Sequence, residues 1–326
     1  MLRALLILLL ALPSLARAGS VLDATGRTVE IPAQVARVLP AGPPAAVLLL
    51  AVAPDLMIGF PSPVSGAARS MLTDAAARLP QVPRLTGKDD STDAVRALKP
   101  DLILDYGTIS PRFTELATAT QQRTGIPTVL LDGSLADDTP SVLRLLGTML
   151  HREGRAETLA RLAEALLAVP AGTGKAPTIV YARGADGSNV VAPDTGSTEV
   201  FNCIGWPVLA PEGQGWFRAA SIDDIARLDP DVLIFGDPAM HNVLAHSDVW
   251  RRVRAVRDGH AFIAPSLPFG WIEEPPSVNR LLGLAWLQGR DLATLATLFN
   301  AAFYDRTLKQ HEIDTMLSGI SIIHPR

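Results

Sequence analysis

The chain has 326 residues, 48% of them hydrophobic, a formal net charge of −4 and a single cysteine. That length suits two domains of ordinary size. The charge argues against nucleic acid or an anionic membrane surface as a bulk partner, and Cys203, being alone, excludes an internal disulfide. The chain opens with Arg3, an apolar run from Ala4 to Leu12 and the small-x-small triplet Ala16-Arg17-Ala18, which reads as a signal peptide over 1–18. The run is short of the roughly 20 residues a membrane span needs, and no cysteine follows it to carry a lipid. A soluble, exported, periplasmic monomer without membrane insertion is expected.

From residue 21 to 31 the pattern predicts a hairpin turning at Ala24-Thr25-Gly26. Strands are expected at 35–39, 56–59, 101–104 and 128–131, and helices at 44–52, 93–98 and 113–124. This alternation predicts a mainly parallel α/β sheet. From 140 to 169 the period becomes purely helical, with Gly154 as an interruption. A second α/β half begins at Thr178, with strands at 178–181, 232–235 and 261–264, and ends in a helical tail from Ser277. The segment 200–205 predicts a helix end capped by Gly205, with Cys203 as a buried structural thiol, since no basic neighbour lowers its pKa.

The stretch 91–104 recurs at 221–234. Ser91/Ser221, Asp93/Asp223, Leu98/Leu228, Pro100/Pro230 and Asp101/Asp231 fall in register, and both copies end in an apolar run of strand character. One helix–turn–strand unit in each half implies two α/β lobes facing each other across a ligand cleft.

These motifs together resemble the periplasmic substrate-binding proteins of ABC importers for iron–siderophore complexes, haem and cobalamin. The resemblance rests on the hairpin 23–32, the two Leu-x-Pro-Asp strands, Thr124-Gly-Ile-Pro127, the segment 196–205 and Trp271-Ile-Glu273, in that family's order. It implies two Rossmann-like lobes with mainly parallel sheets joined by a long bridging α-helix. The expected division is an N-terminal lobe over 19–139, a helical segment over 140–172 and a C-terminal lobe with helical tail over 173–326. It also implies capture of an iron–siderophore or similar metal chelate and delivery to an ABC importer permease. Haem, cobalamin or an oxyanion such as molybdate fit the same fold. The family's paired acidic docking residues fall on Asp93 and Asp223, where this chain carries Asp in place of the usual Glu.

Ligands of open α/β sheets bind beyond the carboxyl ends of strands. That rule nominates 39–43, 61–65, 105–107 and 132–133 in the first half, and 181–183, 236–237 and 265–273 in the second. Within these ranges Tyr106 and Tyr181 are expected to face one another across the cleft. Arg183 is expected to grip an anionic chelate bidentately, and Phe269, Trp271 and Glu273 to wall the site. Trp216, Arg218 and Arg69 are weaker candidates. His241, near a strand end, is a candidate axial ligand only if the cargo is haem. The histidine spacings do not suit a bare-metal receptor. The nucleophile-elbow, phosphate-loop and zinc-protease patterns do not occur in the sequence. No catalytic residue, resident metal or cofactor is therefore expected, an exported hydrolase being the rival class.

Overall fold

The computed structural model describes residues 19–86, 91–136, 138–168 and 175–320, so the signal sequence expected at 1–18 lies outside the described residues. The chain enters through an antiparallel hairpin of β1 (Gly19–Leu22) and β2 (Thr28–Ile31). Gly26 takes the left-handed φ of 79° in its turn, and Asp23 and Arg27 pair across it at 2.5 Å.

The first sheet holds β3 (Val38–Pro40), β4 (Leu102–Gly107) and β5 (Thr128–Asp132), all parallel and adjacent in that order. The connecting helices are α1 (Pro43–Val52), α2 (Gly66–Ser70), α3 (Asp74–Ala77), α4 (Thr92–Leu98) and α5 (Pro111–Thr124). The strand expected at 56–59 is reduced to isolated bridges, Val38 with Met57 and Phe60 with Gln81. Pro61 and Pro63 follow at once, and proline cannot donate to a ladder.

Next come α6 (Thr139–Met149) and α7 (Glu153–Leu167), packed on each other. The break between them falls at His151, which takes a left-handed φ of 54°, and Gly154 lies inside α7. Gly147 marks their closest approach, since a Cβ there would lie 2.2 Å from that of Ala156.

The second sheet contains β6 (Ile179–Arg183), β7 (Asn189–Val191), β8 (Phe217–Ala219), β9 (Val232–Phe235) and β10 (Ala261–Ile263). Its order is β10-β9-β6-β7-β8, with β10, β9 and β6 parallel and β7 and β8 antiparallel. The helices of this half are α8 (Glu199–Cys203), α9 (Ile222–Leu228), α10 (Met240–His246), α11 (Arg254–Arg257), α12 (Arg280–Leu287), α13 (Leu292–Phe303) and α14 (Gln310–Leu317). Helix α8 buries Val200 and Phe201 and leaves Cys203 exposed, which corrects the expectation of a buried thiol. Gly205 does follow the helix with φ at 73°. No helix among the described residues is long and apolar enough to cross a membrane.

The sequence repeat is a structural repeat. Helices α4 and α9 both end on a left-handed residue, Lys99 with φ 49° and Asp229 with φ 47°, each followed by proline. The aspartate after each proline ties its strand to the neighbouring one. Asp101 accepts from the amides of Ala36 and Arg37 at 2.8 Å, and Asp231 accepts from the amide and hydroxyl of Thr178 at 3.0 and 2.9 Å. Those bonds, with the Arg254 guanidinium at 3.0 Å, hold the Asp231 carboxyl down at about 2.

One apolar cluster runs from the first sheet (Val38, Leu104) through α1, α7, α12 and α13 to the second (Ile179, Ile234). Arg155 of α7 fastens it, with Nε donating to Ala51 O and one Nη pairing with Asp305, both at 2.5 Å. A continuous close-packed core resists shear. Ligand should therefore change the radius of gyration very little in small-angle scattering, whereas closure by tens of degrees would contradict a bridged architecture.

Candidate ligand-binding cleft

A cavity of about 710 Å³ opens between the two sheets, lined from both halves of the chain. Drug-sized ligands occupy clefts of roughly 300–1,000 Å³. Its floor is the carboxyl end of β4, where Asp105, Tyr106 and Gly107 reach the cavity. Phe60 and residues 61–65 form one wall with the start of α1. Arg84, Arg112 and Phe113 stand at the first-half rim, with both arginines exposed. The opposite wall carries Arg183, Ser197, Trp216, Phe217, Phe269 and residues 273–276.

The site residues expected from the sequence divide into two groups. Tyr106, Arg183, Phe269 and Glu273 line the cleft, as does the weaker candidate Trp216. Tyr181 and Trp271 do not. Tyr181 is fully buried behind Glu273, tilted against Phe201 at 5.7 Å and roofed by Gly236, so the two tyrosines do not face each other. Only glycine fits at 236, since a Cβ there would lie 2.6 Å from the Tyr181 hydroxyl. Trp271 is wholly buried, with its indole N–H donating to Leu267 O at 2.9 Å and its backbone packed on Gly283 of α12. Arg218 and Arg69 are tied to backbone carbonyls. The first bonds Pro211 O, and the second spans Val64 O and Leu79 O while stacking over Phe60. His241 lines a separate hollow of about 280 Å³ against α14 and stands outside the main cleft.

Arg183, expected to grip an anionic chelate, meets two carboxylates of its own chain. Its guanidinium is already engaged by two glutamates, with Nε 2.7 Å from Glu273 Oε1 and one Nη on Glu274 Oε1. Its plane lies over the Phe217 ring, 5.1 Å from the centroid. Burial raises the Glu273 carboxyl, against the pull of Arg183 and bonds from Ser197 and Tyr181. Burial likewise raises the phenols of Tyr106 and Tyr181.

The floor holds a second acidic group. Asp105 is 6% exposed and accepts a hydrogen bond from the Tyr106 amide at 2.9 Å; no cation pairs with it among the described residues. Desolvation pushes its carboxyl up to about 6, opposed only by that amide. The folded chain thus holds this proton more tightly than the unfolded chain, where the carboxyl titrates at 3.8. Stability is consequently lost as pH rises between those two values. Asp105→Asn should stabilise the protein by about 2–3 kcal/mol at pH 7 and confer nearly nothing near pH 4, by the linkage of pKa to folding. Urea denaturation at both pH values tests this, and an equal difference at each would refute it.

Beneath the cleft lies a polar clasp that the sequence did not reveal. Arg280, 1% exposed, pairs with Glu199 at 2.7 Å. It also donates to the carbonyls of Gly133, Gly196 and Ser277. Glu199 Oε1 in turn accepts from Ser134 Oγ at 3.0 Å and the Leu135 amide at 2.6 Å. The turn after β5 is thereby bonded to α8 and α12.

The family model described as Periplasmic binding protein matches residues 49–267. No curated protein matches the chain in sequence. Among solved structures, an ABC transporter solute-binding protein from Sulfurospirillum deleyianum superposes with a TM-score of 0.81 at 22% identity, covering 91% of this chain and 98% of that one. A periplasmic solute-binding protein from Veillonella parvula gives 0.71 at 19% identity, with 93% and 98% covered. The molybdate-bound periplasmic binding protein MolA of Haemophilus influenzae gives 0.67 at 15% identity, with 89% and 99% covered. These likenesses establish the two-lobed fold, and the match over residues 49–267 establishes the lineage: the chain belongs to the periplasmic binding protein family.

Proposed function

We propose that the protein captures a small metal chelate in the cleft between its lobes and delivers it to an ABC importer in the periplasm, without transforming it. The observation that carries this reading is the cleft itself. A cavity of about 710 Å³ mixes phenyl and prolyl surface with arginines and carboxylates drawn from both halves, which suits an organic ligand larger than a bare ion. Phe60, Phe113, Trp216 and Phe217 offer flat apolar contact to the organic shell. Asp93 and Asp223, one in each repeat unit, are exposed and stand outside the cleft lining. They are the surface charges proposed to meet the permease.

A tetrahedral oxyanion such as molybdate is the second reading, favoured by Arg84 and Arg112 at the rim. Native mass spectrometry with elemental analysis, on protein purified from its own periplasm, separates the two. A co-purifying organic mass with about one metal equivalent supports the chelate. An inorganic oxyanion alone supports the second reading. Turnover of any offered substrate would count against both.

A further inference from the structure

On the footing of the chelate reading, we infer that the cleft selects its cargo by charge, favouring electrically neutral chelates over strongly anionic ones, and that Glu274 sets this preference by neutralising Arg183. Arg183 is the most enclosed cation of the lining, its side chain 30% exposed, and it lies between Glu273 and Glu274. An anionic ligand group reaching for this guanidinium must displace a carboxylate or settle beside two of them. Like charges brought together without solvent between them oppose binding.

The remaining lining tells the same story. Among the described residues the cleft presents Arg84, Arg112 and Arg183 against Asp105, Glu273 and Glu274, three charges of each sign. Arg84 and Arg112, which pair with no carboxylate among the described residues, are exposed at the rim, where water and salt screen them. The carboxylates Asp105 and Glu273 are buried. A concentrated negative charge would therefore meet no net positive field inside, and the whole chain adds none, carrying −4. A chelate whose donor groups cancel the metal charge avoids this conflict. It can bury its organic shell on the aromatic walls while its polar edges hydrogen-bond to Arg183 or Ser197.

Two ferric complexes of similar bulk make suitable probes. A trihydroxamate complex is neutral, because three singly charged donors cancel the ion. A tris-catecholate complex is trianionic. Titration of wild-type protein, read by fluorescence of the tryptophans including Trp216 in the cleft wall, should show the neutral complex bound at least tenfold more tightly. Glu274→Gln keeps the shape of a side chain that is 45% exposed, so folding should survive, as circular dichroism would verify. Freeing Arg183 from one carboxylate should improve the trianionic complex about tenfold, in keeping with a charge-assisted contact, and shift the neutral one by a clearly smaller factor. Tighter trianionic binding by the wild type, or an equal effect of the substitution on both complexes, would overturn the charge assignment while leaving the chelate reading intact. Binding of neither complex would overturn both.

Discussion

Arg280→Ala should cost about 3–5 kcal/mol of folding stability, the loss expected when one partner of a buried ion pair is removed. The arginine is 1% exposed, and its partner Glu199 would be left without its cation beneath the cleft floor. Three carbonyls, those of Gly133, Gly196 and Ser277, would lose a donor with it. Removing both charges together is a different experiment. A double substitution, Arg280→Met with Glu199→Gln, leaves no buried charge and should recover a large part of the loss. Urea denaturation would show the single substitution as a lower midpoint with an unchanged slope. A loss under about 1 kcal/mol would mean that water reaches the pair readily and that the clasp does not hold the floor.

The same clasp shows where sequence reading reached its limit. Arg280 and Glu199 stand 81 residues apart, and Arg280 and Gly133 stand 147 apart. Nothing local in either segment signals its partner. The repeat unit is the opposite case. Its helix, left-handed cap, proline and strand follow one another within fourteen residues, so hydrophobic period and turn chemistry suffice. The elements predicted at 93–98 and 232–235 appear at Thr92–Leu98 and Val232–Phe235. Strands β7 and β8 went unseen because each is three residues long and is held by its neighbours. Of the ranges nominated by the strand-end rule, 61–65 and 105–107 line one cavity, joined from 265–273 by Pro268, Phe269 and Glu273. The rule could not tell Phe269, at the cavity, from Trp271, in the core, because two residues of irregular loop carry no fixed period. Nor could it anticipate that Glu274 would share Arg183 with Glu273, since that depends on how the loop folds back on β6.

Asp93→Asn with Asp223→Asn should leave ligand affinity and stability unchanged while transport in reconstituted vesicles falls tenfold or more. Both side chains are exposed, Asp93 fully and Asp223 by 67%. Neither lines the cleft. Helix capping does not explain them. At α9 the capping box is made by Ser221 with Asp224, whose carboxylate accepts from the Ser221 amide at 2.8 Å, so Asp223 is not needed for it. At α4 the Ser91 side chain makes no cap bond, and among the described residues the cation that Asp93 approaches is Arg96, at 3.8 Å within the same helix. Asp223 meets Arg252 at 3.3 Å, an exposed contact that a partner arginine could exchange. Two like charges set on equivalent turns of the two repeat units would give a permease a pair of points to read. Such rim charges act mainly on encounter and orientation, so the transport defect should grow smaller as salt is raised and the wild type itself slows. Normal transport by the double variant, or loss of ligand binding in its place, would return both aspartates to the role of surface residues.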